Sequence, residues 1–236
     1  MMMKNKRSFI LAAVCGLLAA ILIVLILFVD VDSIGPEGTT VGLSHLNRFI
    51  FDLFGVNIVW YHITDWLGIV AILTAFVFAI TGLVQLIKRR SLFQVDKEIL
   101  LLGGLYLVVI GLYILFERVI VNYRPIIMPD GTHPEASFPS SHTMIVFVIM
   151  GSTIMLIGKY IHYKALRTAL QAFCVAVIGI TVIGRLISGV HWFTDILGGV
   201  MIGITLLALY SGGIIALTRT WEDTNDTGRM ENDLET

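Results

Sequence analysis

The stretch Gly184–Gly199, GRLISGVHWFTDILGG, lies between two strongly apolar runs and carries an arginine, a histidine and an aspartate. His191 and Asp195 are four positions apart, so a helix that begins near His191 stacks both side chains on one face. Taken alone, this spacing is more often a hydrogen-bonded pair at a helix start than a reactive pair. An imidazole beside a carboxylate close to hydrocarbon is costly, however, which favours a functional interpretation. The rest of the chain decides between the two.

The composition predicts an integral membrane protein. The 236 residues are 57% hydrophobic and only 14% charged, whereas soluble domains carry about 25% charged residues. The net charge of -1 gives no indication of a nucleic-acid partner or a polybasic surface. Cys15 and Cys174 each lie inside an apolar run, which indicates small core residues and neither a disulfide nor a metal site.

Six apolar runs are candidates to cross a bilayer, which takes about 20 residues per helix. The first is expected to be retained, because it is too long for a signal peptide and no small-residue cleavage site follows it. The segment from Asn47 to Tyr61 alternates apolar and polar residues at helical spacing, so we predict an amphipathic helix on the membrane surface, with a short extra span as the alternative. The sequence therefore predicts an all-α, polytopic membrane bundle. The six predicted spans are residues 9–29, 67–87, 99–121, 143–157, 170–187 and 196–217.

The chain divides into three parts. Residues 1–45 form an N-terminal span and outer loop, residues 46–217 form the main transmembrane domain, and residues 218–236 form an acidic tail that we expect to be disordered. Most basic residues, and every lysine, fall at the end of the bundle that carries the termini, so the positive-inside rule places both termini in the cytoplasm. Three arginines at the opposite end break this bias and need another explanation: Arg118, Arg124 and Arg185.

Three polar clusters lie at that opposite, extracytoplasmic end. They are ERVIVNYRP at Glu117–Pro125, FPSSH at Phe138–His142, and the Gly184–Gly199 stretch. Each has an ordinary structural interpretation when taken alone. The first could be a snorkelling arginine with a helix-ending proline, and the second a serine that caps a new helix.

Together the clusters suit an anion with several oxygens. Arg124 and Arg185 can each grip oxygens with a planar fork, and helix starts near His142 and His191 add free N–H groups and positive dipole ends. A phosphoryl group fits such a pocket best. One histidine held by a carboxylate can attack as a nucleophile, and the second can protonate the leaving oxygen.

These motifs resemble the signature of the type 2 phosphatidic acid phosphatase (PAP2) superfamily. The matching elements are Arg124-Pro125, PSSH at Pro139–His142, and the R-x5-H-x3-D pattern of Arg185, His191 and Asp195. The six-span layout is also that of the membrane-bound branch of the family, so the resemblance covers about residues 60–217.

The resemblance implies a role for each matching residue. His191 would be the nucleophile that forms a phosphohistidine, Asp195 would orient its ring, and His142 would protonate the leaving group. No metal or other cofactor is implied, since the arginines would repel a cation. The phosphoryl oxygens would be bound by Arg124, Ser140, Ser141 and Arg185.

The implied activity is that of a membrane lipid phosphatase acting at the extracytoplasmic face. Undecaprenyl diphosphate, phosphatidic acid and phosphatidylglycerol phosphate all suit the chemistry as substrates. A lipid head-group phosphotransferase and a non-catalytic membrane scaffold of the same fold remain alternatives. The sequence leaves the oligomeric state open.

Two departures from the family pattern concern this site. Gly184 stands where the family usually has serine, and Glu117 stands where it usually has lysine. A carboxylate beside a phosphate costs about 1–4 kcal/mol at contact distance, depending on the local dielectric. Three explanations are open: Arg118 replaces the lysine while Glu117 pairs with Arg124, the substrate carries less negative charge or a cationic head group, or the enzyme is weakened.

Overall fold

The protein is a bundle of α-helices. The computed structural model describes the backbone of residues 2–128 and 131–234, and the side chains of residues 6–128 and 131–217. Beyond helices and turns, this part of the chain has only two isolated antiparallel bridges, Asp32 with Val41 and Tyr123 with Ala136. The α-helices are α1 (Met2–Phe28), α2 (Ser44–Phe54), α3 (Ile58–Arg89), α4 (Lys97–Arg118), α5 (Ser141–Tyr160), α6 (Lys164–Ser188) and α7 (Phe193–Leu234).

Six of these helices are long and apolar enough to cross a membrane, which confirms the predicted all-α fold with six spans. The candidate spans lie in α1 and in α3 to α7, and their bounds are Lys6–Phe28, Ile58–Arg89, Lys97–Arg118, Ser141–Tyr160, Lys164–Ser188 and Phe193–Leu217.

The predicted surface helix is shorter than expected. The segment 47–61 is split between two helices, because α2 ends at Gly55, whose φ of 62° lies in the left-handed region that favours glycine. Asn57 then caps α3, and its side-chain oxygen accepts from the N–H groups of Val59 and Trp60. The 11-residue α2 is amphipathic, with Ser44 and Asn47 buried, so the prediction was right about the helix and wrong about its end.

Helix α3 begins well before the predicted span at residue 67. At 32 residues it is about 48 Å long at 1.5 Å per residue, whereas the hydrocarbon core is only about 30 Å thick. The additional turns place Trp60, Tyr61 and Asp65 in the same long helix, at the end of the bundle that carries the three polar clusters.

Helix α5 is the centre of the bundle. In its most apolar stretch of 18 residues, 61% of the residues are buried, against 11–33% in the corresponding stretches of the other spans. Glycines bring α7 close to it, since a Cβ on Gly199 would lie 3.0 Å from the carbonyl oxygen of Ser140 and one on Gly203 would lie 2.8 Å from Phe147. Such close approach lets dispersion hold helices together where surrounding lipid is as apolar as the side chains.

Helix α7 continues beyond the predicted end of the sixth span at Leu217. The sequence predicts disorder from Thr218, whereas the backbone is helical to Leu234. No proline interrupts this stretch, and extending an existing helix avoids the cost of nucleation. Residues 235–236 lie outside the described part.

Candidate active site

The three polar clusters meet at one end of the bundle. The N–H of Ser140, which precedes α5, donates to the carbonyl oxygen of Asp195 in the first turn of α7 at 3.0 Å. The loop between α4 and α5 folds back through the Tyr123–Ala136 bridge, and the indole N–H of Trp192 donates to the Tyr123 carbonyl oxygen at 2.7 Å. The predicted convergence of the clusters is therefore what the fold produces.

His191 is fixed through one ring nitrogen and free at the other. Its Nδ1 lies 3.1 Å from both Oγ and the carbonyl oxygen of Ser137. We assign the ring proton to Nδ1, because a carbonyl oxygen can only accept. The lone pair is then on Nε2, which is buried and has no hydrogen-bond partner among the described residues.

Ser137 lies between Asp195 and His191 in a chain of hydrogen bonds. The Ser137 hydroxyl donates to Oδ2 of Asp195, which also accepts from the Trp192 N–H at 2.9 Å. Asn122 donates to the other carboxylate oxygen at 3.3 Å. The family resemblance implies that Asp195 orients the imidazole, and the structure inserts a serine between the two.

Two arginines lie near His191, and each carries a carboxylate partner. Arg185, fully buried in the last turn of α6, donates through a terminal nitrogen to Asp65, and its guanidinium lies 5.0 Å from the centre of the Tyr61 ring. Nε of Arg124 lies 3.1 Å from the carboxylate of Glu135, aligned as an ion pair but not as a hydrogen bond.

Three buried nitrogen atoms of the site lack a hydrogen bond: Nε of Arg124, Nε of Arg185 and Nε2 of His191. Buried polar groups are nearly always satisfied, so an unsatisfied group requires an explanation. Two guanidinium N–H groups without a hydrogen bond and one imidazole nitrogen with a free lone pair suit an oxyanion that accepts hydrogen bonds and presents an electrophilic centre.

The pKa of His191 is held well below its ordinary value. Burial is the main cause, because it disfavours the charged imidazolium, and the positive charges of Arg124, Arg185 and His142 add to it. A neutral imidazole keeps its Nε2 lone pair, as nucleophilic attack requires.

The two serines of the second cluster have different environments. Ser140 is fully buried, and its Oγ accepts from the Thr143 hydroxyl at 3.0 Å. Ser141 lines a small cleft together with Arg124, Ser137 and Glu117.

Glu117 lies at the site, but it does not form the pair with Arg124 that one of the three explanations requires. Arg124 pairs with Glu135 and not with Glu117, and the described side chains give neither Glu117 nor Arg118 an ion pair. Both residues are exposed at the end of α4. Arg118 therefore does not free Glu117 to neutralise Arg124 in this conformation.

His142 has a partner that the sequence analysis missed. Its Nε2 lies 3.0 Å from Oδ1 of Asp65 in α3, the same oxygen that Arg185 contacts. The predicted second span begins at residue 67, so Asp65 lay outside every predicted span. A charged residue within an apolar helix is a functional candidate by default, so a correct α3 start would have revealed it.

Ser137, Asn122 and Asn47 were also missed. Asn47 is fully buried in α2, donates to the Thr194 hydroxyl at 3.0 Å and accepts from the Thr194 N–H at 3.2 Å. Asn122 accepts from the Gly42 N–H at 3.3 Å. None has a sequence signal, because each is a common polar residue in a loop or on a short helix.

A bundle of six candidate membrane spans, with two histidines and two arginines at one end, defines a helical membrane protein with a candidate anion site. Residues 119–217 match the model of the PAP2 superfamily, which confirms the resemblance over that region. Phosphatidylglycerophosphatase B of Bacillus subtilis (strain 168) is 30% identical over 115 residues, or 47% of this chain. That similarity spans 57% of the length of the relative.

The fold is also that of a solved member of the superfamily. The crystal structure of the first transmembrane PAP2-type phosphatidylglycerolphosphate phosphatase from Bacillus subtilis superposes with a TM-score of 0.57 at 18% identity, and the similarity covers 85% of this chain and 94% of that one. This likeness supports the arrangement of the spans.

Proposed function

We propose that the protein is a membrane lipid phosphatase that works through a phosphohistidine. The observation that carries the proposal is that three buried nitrogens of the site, Nε2 of His191 and Nε of Arg124 and Arg185, have no hydrogen bond within the protein. Such an arrangement binds a tetrahedral oxyanion and offers it a neutral nucleophile.

The proposed reaction has two steps. Nε2 of His191 attacks phosphorus, the bond from phosphorus to the leaving oxygen breaks, and His142 gives that oxygen a proton. Water then attacks the phosphohistidine with His142 as the base, which restores His191 and releases inorganic phosphate. Arg124, Arg185, Ser140 and Ser141 bind the phosphoryl oxygens, and no metal takes part.

The preferred substrate class is a lipid phosphate of the phosphatidylglycerol phosphate type. The similarity to phosphatidylglycerophosphatase B supports this class, and phosphatidic acid and undecaprenyl diphosphate are the next candidates. The tail would stay in the bilayer while the head group reaches His191 from the side. We place this end of the bundle at the extracytoplasmic face on the positive-inside rule.

Phosphate release from purified protein in detergent tests the proposal. His191→Ala should abolish turnover of every candidate lipid, while His162→Ala, at an exposed position in the loop between α5 and α6, should retain it. Because no metal takes part in the proposed reaction, phosphate release should continue in the presence of EDTA. Full turnover by the folded His191→Ala variant would reject the nucleophile.

Glu117 favours a second candidate, a head-group phosphotransferase. Its carboxylate lines the same cleft as Arg124 and Ser141, which suits a phosphodiester or a head group bearing a cation better than a doubly charged phosphate. Transfer would require an added acceptor alcohol or lipid phosphate, whereas hydrolysis would not. A protein that gives neither reaction would be a scaffold.

Glu117→Lys separates these substrates. If repulsion by Glu117 weakens binding of a phosphate dianion, the variant should lower KM for phosphatidic acid by about tenfold, the equivalent of about 1.4 kcal/mol. Glu37→Lys makes the same charge change in an exposed turn of the loop after α1 and should leave KM unchanged. Loss of turnover in Glu117→Lys alone would show that this enzyme requires the carboxylate.

A further inference from the structure

Asp65 and His142 form a second carboxylate–imidazole pair in the site. His142 is the residue that protonates the leaving group in the proposed reaction. Oδ1 of Asp65 lies 3.0 Å from Nε2 of His142 and also contacts Arg185. Asp65 lies two turns into α3, so it belongs to none of the three polar clusters. Its side chain is 31% exposed and that of His142 is 35% exposed, so both can meet a substrate from outside.

We propose that Asp65 positions and charges His142 for protonation of the leaving group. This inference rests on the proposed lipid phosphatase reaction. A carboxylate at Nε2 keeps the ring proton there, which leaves Nδ1 as the nitrogen available to the leaving oxygen. When Nδ1 is protonated, the imidazolium is stabilised by the negative charge 3.0 Å away. Nδ1 then donates its proton as the bond from phosphorus to oxygen breaks.

The contact between Asp65 and His142 depends on how closely α3 packs against its neighbouring helices. Gly68, one turn after Asp65, faces the His142 ring so closely that a Cβ there would lie 3.0 Å from Cδ2. Gly184, next to Arg185, approaches Thr64 and Trp60 in the same way. Two glycines thus let α3 come close enough to α5 and α6 for Asp65 to reach both cations.

The charged residues around His142 explain why a protonated His142 requires Asp65. The charged groups that act on the His142 ring are Asp65 and, with opposite sign, Arg185 and Arg124. Two arginines alone would disfavour an imidazolium, yet an acid catalyst must carry a proton when the substrate binds. Asp65 is the carboxylate that the structure places on the ring of His142, and its negative charge opposes the charges of the two arginines.

The two histidines differ in how close a carboxylate lies to the ring. His191 faces a neutral serine and has its carboxylate one residue removed, which suits a neutral nucleophile. His142 contacts its carboxylate directly, which suits a proton donor. Environments that separate two titratable groups in this way distinguish a base or nucleophile from an acid.

The test is the leaving-group dependence of Asp65→Asn in the full-length protein in detergent. With dioctanoyl phosphatidic acid, whose alkoxide leaves poorly without a proton, we expect turnover to fall by about 100-fold, within the range for general acid catalysis. With p-nitrophenyl phosphate, whose phenolate leaves without a proton, the loss should be less than about threefold. Asp52→Asn removes an exposed carboxylate of α2 and is the matched control with unchanged rates on both substrates.

The pH profile provides the second readout. Without the carboxylate, His142 should lose its proton at lower pH, so the alkaline limb of kcat with the lipid should move to lower pH by about one unit or more. Asp65→Glu should restore part of the lipid rate and move the limb back. If the role of Asp65 is purely structural, turnover of both substrates should fall equally and the alkaline limb of kcat should stay at the same pH.

Several results would overturn the inference. Equal losses on both substrates, a faster Asp65→Asn enzyme, or an unmoved alkaline limb would each do so. Failure of the phosphatase proposal itself is distinguishable, since it would appear as full activity of His191→Ala. If His191→Ala is inactive while Asp65→Asn matches wild type on the lipid, only the role of Asp65 falls.

Discussion

At the scale of single residues, the site depends on how each imidazole is held. Ser137 is the least expected component, because it joins His191 to Asp195 although the spacing of His191 and Asp195 suggests direct contact. The side chains do share one end of α7, but the carboxylate is occupied by the Trp192 N–H and by Asn122. The serine conveys the effect of the carboxylate to the ring.

Removing the hydroxyl of Ser137 should therefore slow the chemical step while the substrate still binds. In Ser137→Ala the buried carboxylate of Asp195 loses a donor, a loss that costs about 1–3 kcal/mol. Since each 1.36 kcal/mol is tenfold in rate, kcat should fall by about 5- to 150-fold with little change in KM.

The control for this variant is Ser33→Ala, which changes an exposed serine in the loop after α1 and should leave kcat unchanged. Equal rates for wild type and Ser137→Ala would mean that the carbonyl oxygen of Ser137 holds the ring by itself.

The depressed pKa of His191 has a consequence for stability. The unfolded chain takes up a proton near pH 6.5, whereas the folded protein resists protonation of the buried ring. The unfolded state therefore binds more protons below that pH, and stability should fall as the pH falls, by up to about 2 kcal/mol between pH 6.5 and pH 5.

Thermal unfolding of wild type and His191→Gln at a series of pH values measures this contribution. The variant should lose less stability between pH 6.5 and pH 5, because glutamine does not titrate. Parallel curves for the two proteins would show that His191 accepts a proton in the folded state.

At the scale of helices, the glycines explain one departure from the family pattern. Gly184 stands where the resemblance leads us to expect serine, and a Cβ at this position would lie 2.6 Å from Cγ2 of Thr64 and 3.0 Å from the Trp60 ring. The small residue is required because α3 packs directly on α6 here. The same approach brings Asp65 to Arg185.

Gly184→Ala should push α3 away from α6. We expect a loss of about 1–3 kcal/mol from overpacking, seen as a lower unfolding temperature together with a lower rate. Gly179→Ala is the matched control, since a Cβ at that position of α6 meets nothing within 4 Å. Adding Thr64→Ser removes the nearest methyl group and should recover part of the loss. Equal stability of the two alanine variants would contradict this account.

The helices also show what sequence patterns can and cannot supply. The apolar runs were sufficient for the six spans, because the bilayer imposes length and composition on each of them. They were insufficient for the start of α3, which is determined by Gly55 and by the Asn57 cap. That error alone concealed Asp65, while His142, Arg185 and His191 became candidates because they occur in ordered motifs.

At the scale of the whole molecule, the ends of the bundle differ in chemistry. One end holds the site, closed over by α2 through Asn47 and by the loop between α4 and α5. The other end carries an ion-pair group in which Asp96 contacts Arg89 and Lys159. Burial alone would raise the pKa of Asp96, but hydrogen bonds from these two cations outweigh it and lower the pKa. This group joins the loop after α3 to the end of α5.

The orientation of these ends across the membrane is the last prediction. The positive-inside rule places the termini and the Asp96 group in the cytoplasm, and the site outside. In a Cys15→Ser, Cys174→Ser background, a cysteine placed at Thr132, an exposed position of the loop between α4 and α5, should react with an impermeant maleimide in intact cells. A cysteine placed at His162, exposed at the opposite end, should react only after permeabilisation. The reverse pattern would put the proposed phosphatase site in the cytoplasm, and its lipid substrates would then have to come from the inner leaflet.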